Sequence, residues 1–458
     1  MYEWSETDLM IRDAVRGFIA KEIRPQLDAL ESGEIPPYPI IRKLFAEFGI
    51  DAMARDGVEK MLAKERARET VGAAAGGGTA GGGAAGGGAA GGGVASGDAP
   101  RGDGGRGDDD EGGDSGGDLA SRDSMMAVVT SELAGACMGL VSALGVSLGL
   151  GATTIMSRGT LAQKERWLPG IVTMEKVASW AITEPDSGSD AFGGMRTYVR
   201  RDGEDYILNG QKTFITNGPY ADVMIVYAKL DEGSGGAGST GPATDADKRD
   251  RKVLTFVLDK GMEGLTQGAP FKKMGLHSSP TGELFFDNVR LGRDRLLGES
   301  EEGRGGDGRE SARSSFTAER IGVATMALGI IEECHRLCVD YSRERTLWGQ
   351  EIGRFQLIQL KLAKMEVARM NVRNMVFNSI ERARAGKPLS LAEASAMKLY
   401  SSEAATDVAM EAVQLFGGNG YMAEYRVEQL ARDAKSLMIY AGSNEIQVTH
   451  IAKGLLAR

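Results

Sequence analysis

Five short stretches carry side chains suited to chemistry. In Trp180–Asp190, Pro185 and Gly188 force a turn while Thr183, Ser187 and Ser189 set hydroxyls and backbone donors beside it. That arrangement suits the polar edge of a heterocycle or a phosphate, and equally a plain capped turn. Gly417 and Gly418 let backbone N–H groups approach an anion, and Arg345 offers a planar fork to a pyrophosphate; taken singly they also fit a simple turn and a solvated charge. Glu319, within Phe316–Ile321, reads on its own as an exposed carboxylate in a helix's first turn, where the macrodipole favours it. Cys334 and Cys338, with His335 between them, have the i,i+4 spacing of a metal pair. His277 and His450 are scattered, so two small buried residues on one helix face is the preferred reading and no metal is expected.

These groups need elements to hold them. At 458 residues and 42% apolar content the chain suffices for two or three cores. A formal charge of -10 argues against a nucleic-acid surface, which needs concentrated Lys and Arg. The cysteines Cys137, Cys334 and Cys338 cannot build a disulfide framework and point to a reducing compartment. With acidic Glu3, Glu6 and Asp8 where a basic leader would begin, a cytoplasmic location is expected. Leu133–Ser157 is uncharged for long enough to span a bilayer, and Gly135 and Gly139 form a GxxxG pair. Gly, Ser and Thr dilute it and no aromatic belt flanks it, so buried helices and no membrane association are expected.

The order is helices, strands, helices. A helical domain is expected over 1–178, with Leu9, Val15, Phe18, Ile19 and Ile23 near helical spacing and Pro36-Pro37 as a break. Inside it, 72–117 is about half glycine and cannot bury enough apolar surface to offset its chain entropy; a disordered insertion, of little cost to the fold, is expected. A β-domain is expected over 179–298. In it Tyr206–Leu208 and Thr213–Ile215 flank Asn209-Gly210 as a hairpin with a tight turn, and Val223–Ala228, Val253–Leu258 and Leu284–Phe286 are further strands. A polar loop occupies 232–249, and another, 299–311, leads out. From 312 to 458 the pattern is helical, with Ile358, Leu362, Met365, Val372 and Val376 on one stripe of a helix able to pair within the chain or with a partner subunit.

The Trp180–Asp190 stretch resembles the flavin-binding signature of acyl-CoA dehydrogenases. Asn209–Gly218 resembles that family's second flavin stretch, and Arg345–Gly349 and Gln414–Tyr421 resemble two more, in the family's order and at about its spacing. The resemblance covers nearly the whole chain outside 72–117 and the two shorter polar loops. It implies a mainly α fold with a central β-domain: an N-terminal helical domain, a middle β-barrel or sheet domain and a C-terminal four-helix bundle. It implies FAD, contacted by Trp180, Ala181, Ile182, Thr183, Gly188, Ser189, Phe214, Ile215 and Thr216. Arg345 and Gln356 would reach the FAD of a neighbouring subunit, Gln414, Leu415, Phe416, Gly417 and Gly418 would hold its adenine-diphosphate end, and Ser443, Asn444 and Glu445 would form a last flavin-contacting turn. Ser189, Phe316, Arg320 and Gly442 would face the acyl-CoA substrate, with Arg320 equally able to pair with nearby carboxylates. A homotetramer and an electron-transfer flavoprotein as electron acceptor also follow from the resemblance.

Dehydrogenation of an acyl thioester requires a base for the α proton, because that proton is only weakly acidic. A carboxylate serves if burial raises its pKa toward neutrality and hydrogen bonds stabilise the enolate oxygen. Many members of the family place this glutamate just before a Gly-Thr or Gly-Ser pair, where this chain has Ala441 before Gly442-Ser443. A second location, on a helix preceding the long C-terminal bundle as in isovaleryl-CoA and long-chain acyl-CoA dehydrogenases, matches Glu319. Ala441 would keep a role through its backbone N–H, which can polarise the thioester carbonyl. The rival readings are a non-catalytic accessory flavoprotein, favoured by the alanine at 441, and an acyl-CoA oxidase, disfavoured by the chain length. A DNA-associated relative would want a basic C-terminal extension, and none is expected here.

Overall fold

The computed structural model describes residues 4–76, 115–232, 250–302 and 308–457. The N-terminal helices are α1 (Glu6–Phe18), α2 (Leu27–Ser32), α3 (Tyr38–Glu47), α4 (Ile50–Gly76), α5 (Ser115–Gly145), α6 (Thr153–Arg158) and α7 (Leu161–Val172). Ser5 starts α1 through a reciprocal capping box with Asp8, and Thr160 starts α7 the same way with Gln163. Both ends of the glycine-rich stretch are helical, since α4 runs to Gly76 and α5 begins at Ser115; its middle, 77–114, lies outside the described residues, as do 233–249 and 303–307 of the two polar loops.

The apolar run is long enough to cross a membrane over Asp123–Arg158, yet 67% of its most apolar window is buried within the protein. It is not one straight rod, because Cys137 interrupts α5 with non-helical backbone and a π-helical segment, Val146–Ala152, follows. The GxxxG pair faces inward. A Cβ on Gly135 would stand 2.8 Å from the Gly329 carbonyl oxygen, and one on Gly139 would strike Ser278, so the two glycines seat α5 against other parts of the same chain.

Seven strands follow: β1 (Ala178–Ala181), β2 (Tyr198–Asp202), β3 (Asp205–Thr216), β4 (Val223–Leu230), β5 (Val253–Asp259), β6 (Leu265–Gln267) and β7 (Thr281–Leu291). They form one curled sheet in the order β1-β4-β2-β3-β7-β6, with β5 added to β4. Every residue of β4 is buried. Met224, Val226, Ala228 and Leu230 face the inner core with Leu208, Phe256 and Leu284, while Val223, Ile225 and Tyr227 pack toward Trp167, Leu168 and Ile171 of α7. A strand covered on both faces reads as a continuous apolar run for this reason.

The expected hairpin at Asn209-Gly210 is not there. Residues 205–216 are one strand, and the tight turn lies at Gly203 (φ +67°) and Glu204, where Asp202 pairs with Asp205. Both halves of β3 pair with the same neighbour, β7, so the chain crosses Asn209-Gly210 with a bulge instead of reversing. Asn209 is tied to β7 by accepting from the Asn288 amide at 2.9 Å, and a Cβ on Gly210 (φ +139°) would stand 2.6 Å from the Thr197 hydroxyl oxygen. A second irregularity, between Lys212 and Ile215, contains Phe214.

The C-terminal region comprises α8 (Gly308–Glu344), α9 (Gln356–Arg384), α10 (Leu391–Phe416), α11 (Val427–Ser436) and α12 (Asn444–Leu456), with a small β8-β9 pair (Thr346–Leu347 and Gln350–Glu351) between α8 and α9. Met365, Val372 and Val376 are buried and Ile358 and Leu362 pack beside them, as the stripe requires. This bundle shares one apolar core with α1, α3 and α5, and Cys334 and Cys338 sit inside it. Burial pushes the Cys338 thiol up to about 12, and His335 faces Glu366 at 3.2 Å, so the three side chains do not converge.

Candidate active site

The turn after β1 is built on a buried ion pair. Lys212 of β3 donates to the Ile182 carbonyl at 3.0 Å and to Glu184 at 2.8 Å, and Glu184 also accepts from the amides of Arg196 (2.6 Å) and Thr197 (3.0 Å). Burial draws Lys212 down to about 8. Burial also works to raise Glu184, but Lys212 and the surrounding donors outweigh it and hold the carboxyl below its usual range. Glu184 and Ser187 exchange backbone hydrogen bonds across the turn, and Thr213 donates to the Thr183 carbonyl at 2.9 Å. The turn is thereby rigid, with Gly188 and Ser189 exposed and the Thr183 side chain partly open. Ala181 and Ile182 bury their side chains, so only their backbone can meet a ligand; the Trp180 indole N–H is taken by the Tyr227 hydroxyl at 3.1 Å.

Two residues on the following segment are held at positive φ. Phe214 (φ +57°) leaves its ring 68% exposed, with only Phe271 nearby at 5.8 Å between centroids. A left-handed phenylalanine with a bare ring costs roughly 1–3 kcal/mol, which the bulged pairing with β7 imposes. Asn217 (φ +65°) closes the segment: its amide donates to the Ala143 and Ala178 carbonyls, both at 2.9 Å, and its oxygen accepts from the Tyr38 hydroxyl at 3.0 Å. One side chain thus locks β3 to α3, α5 and β1. Ile215 is buried and Thr216 partly open.

Glu319 lies about three turns inside α8 by helical pitch, not in a first turn and not on a separate helix before the bundle. It is partly buried, and its carboxyl is raised to about 7 by burial, against the opposing pull of Arg320 and Lys398. Arg320 is buried, with its guanidinium 5.6 Å from the Phe316 ring, a hydrogen bond to Ser395 at 3.1 Å, and its Nε without a partner among the described residues. Across from them is the Tyr440–Ser443 turn. The Glu319 charge is felt at the Tyr440 hydroxyl, and a Cβ on Gly442 would stand 3.8 Å from the Arg320 guanidinium. Ala441 (φ +57°) and Gly442 (φ +80°) are both left-handed. Ser443 occupies the position before α12 without a side-chain capping bond, Asn444 is buried and Glu445 is exposed.

A second set of expected residues converges elsewhere. A cavity of about 830 Å³ is lined by Arg345, Gln356, Leu415, Phe416, Gly417 and Gly418 together with Tyr341, Trp348 and Asn419. Gln414 is exposed on α10 and does not line it. A Cβ on Gly417 or Gly418 would meet nothing within 4 Å, so their backbone is open to a ligand. Gly417 has φ +62°. Among the described residues the Arg345 side chain forms no ion pair, although its charge is exposed at the rim. Lys398, beside Glu319, and Phe416, in the cavity wall, are the near and far parts of α10, roughly 27 Å apart at 1.5 Å per residue.

Sequence reasoning missed Lys398, Gln447, Lys212 and Glu184. Lys212 and Glu184 were flagged only as members of motif stretches. Lys398 and Gln447 lie on α10 and α12, outside every motif stretch, where no local pattern points to them.

Comparisons with known proteins agree with this layout. Residues 111–175, 179–289 and 306–456 match the N-terminal, middle and C-terminal domain families of acyl-CoA dehydrogenase. The short-chain-specific acyl-CoA dehydrogenase of Megasphaera elsdenii is 37% identical over 341 residues, 74% of this chain and 83% of that protein. An acyl-CoA dehydrogenase of Bacillus subtilis (strain 168) is 37% identical over 313 residues, covering 68% and 77%. The solved structure of butyryl-CoA dehydrogenase from Megasphaera elsdenii superposes with a TM-score of 0.75 at 29% identity, covering 100% of both chains. The helix-sheet-helix architecture, the three domain matches and these relatives together make this chain a member of the acyl-CoA dehydrogenase family.

Proposed function

We propose that the chain removes two hydrogens from an acyl-CoA thioester to give the trans-2-enoyl-CoA, with Glu319 as the base. The observation that carries this is a Glu319 carboxyl raised to about 7 whose neighbour Arg320 and whose charge both reach the left-handed turn Tyr440–Gly442. The α C–H proton passes to the Glu319 carboxylate, and its electron pair becomes the new C=C bond. Hydride leaves the β carbon, and FAD, when bound, accepts it. The Ala441 N–H donates to the thioester oxygen while charge develops there. A carboxyl poised near neutral pH balances deprotonated fraction against basicity.

The residues present fit FAD. The rigid turn at Thr183–Ser189 and the bare Phe214 ring offer hydroxyls, amides and a flat apolar face to its ring system. The cavity offers its diphosphate the exposed Arg345 guanidinium, the Gln356 amide and room for close backbone approach at Gly417-Gly418. The separation of the two places along α10 supports a cavity that receives the adenine-diphosphate end of FAD from a neighbouring copy. So does α9, which carries an exposed stripe of Leu357, Leu360, Val367 and Met370 opposite its buried one. A homotetramer, an electron-transfer flavoprotein as acceptor and a cytoplasmic location complete the proposal.

Glu319→Gln tests it. The purified variant should stay yellow yet fail to bleach anaerobically with acyl-CoA, with the flavin-reduction rate down about 10³- to 10⁴-fold. Bleaching at the unaltered rate would place the base elsewhere.

A further inference from the structure

The turn that faces Glu319 is held from behind by two side chains to which the reaction itself assigns nothing. Lys398 donates to the Gly442 carbonyl and to Asn444 Oδ1, both at 2.9 Å. Gln447 Nε2 donates to the same Gly442 carbonyl at 2.7 Å and to the Ala441 carbonyl at 3.0 Å. The Gln447 amide can be oriented only this way, since the flipped form would set its oxygen against two carbonyl oxygens. Lys398 is fully buried and, among the described residues, forms no ion pair. An unpaired ammonium in such surroundings is expensive, by several kcal/mol in general. Burial draws it down to about 8, aided by Arg320.

The consequence lies on the other side of the turn. Fixing the carbonyls of Ala441 and Gly442 fixes the two peptide planes that follow Ala441, and Tyr440 is anchored before it through its amide to Ser436 at 3.2 Å. Ala441 is therefore held at φ +57°, which a non-glycine residue does not adopt freely. Among the described residues no acceptor takes the amides of Ala441, Gly442 or Ser443. Their carbonyl sides are occupied and their N–H sides are open.

We infer that Lys398 and Gln447 are positioning residues, clamping the carbonyls of the 441–442 turn so that its N–H groups stay aimed at the substrate thioester oxygen. This rests on the dehydrogenase reading above. The clamp acts before substrate arrives, so the donors need no reorganisation when the enolate charge appears.

Lys398→Met and Gln447→Met each remove the donors at similar length, and only the first changes charge. The probe is a 3-thia-acyl-CoA, which is not oxidised and whose bound enolate gives a long-wavelength band with oxidised flavin. In both variants the bound probe should need a higher pH to form that band. Flavin reduction by a true acyl-CoA should fall about 10- to 100-fold with little change in ligand dissociation constant. FAD content and melting temperature report whether each variant is folded, and a folded Gln447→Met, which leaves the charge unchanged, suffices. Unchanged probe acidity in a folded variant overturns the clamp. A change confined to Lys398→Met also overturns it, because the effect would then be the lysine's charge acting on Glu319. If unaltered protein neither forms the band nor bleaches, the dehydrogenase reading fails instead.

Discussion

The surroundings of Glu319 and the cavity beside Arg345 stand at opposite extremes of completion within one chain. Around Glu319, Lys398, Gln447, Ser402 and Asn444 form one connected network and two residues are held in left-handed backbone, while Arg320 Nε, Asn444 Nδ2 and Gln447 Oε1 have no partner among the described residues. Around Arg345 the guanidinium forms no ion pair among the described residues, the Gly417 N–H is spent only on the Gln414 carbonyl, Trp348 is 84% exposed, and the wall is open. The difference separates work a single chain can do from work it cannot. Proton abstraction demands a raised pKa and fixed donors, which burial and internal hydrogen bonds supply. Anion binding at the cavity needs donors that stay available, and in the proposed assembly a second copy would bring the anion to them.

The comparison can be broken at either end. The largest effect should come from the scaffold of the first site. Glu184→Leu leaves Lys212 as an unpaired buried cation, so stability should fall by about 3–5 kcal/mol and flavin should be lost with the fold, as read by denaturant unfolding. A loss below about 1 kcal/mol would mean that water reaches Lys212. Next, Arg345→Ala should leave the melting temperature of flavin-free protein unchanged while weakening FAD retention about 10- to 100-fold, measured by flavin content after gel filtration. Equal damage to fold and flavin would erase the contrast drawn above.

The smallest effect is the pH profile. The rate of anaerobic flavin reduction should rise with pH and level off above about 7, as Glu319 loses its proton. The sign for stability is opposite. The folded carboxyl is raised above its unfolded value, so its contribution is present in full below the ordinary carboxyl range and lost as pH rises through about 7. A rate that is flat from pH 5.5 to 8.5, within this roughly three-unit window, would detach Glu319 from the rate-limiting step.

Much of this was legible in the residues. Arg345, Gln356 and Gly417-Gly418 lie far apart in the chain and converge in one cavity, as the motif resemblance implied. The helix-strand-helix order and the strands at Val223, Val253 and Leu284 were written in apolar periodicity. What was illegible depended on long-range pairing. Asn209-Gly210 has the chemistry of a hairpin turn, and only the presence of β7 along both halves of β3 converts it to a bulge. Lys398 meets Gly442 across a chain separation of 44 positions, a contact no local pattern announces.

Asn217 carries a consequence for chemical ageing. Asparagine followed by glycine is ordinarily the pair most prone to cyclise onto the next backbone nitrogen and lose its amide, and Asn217 precedes Gly218. Here the carboxamide is gripped by Tyr38, Ala143 and Ala178, and the Gly218 nitrogen donates to the Ile215 carbonyl at 3.0 Å. Neither atom is free to turn toward the other, so the junction that fastens sheet to helices is also protected from deamidation for as long as the chain stays folded.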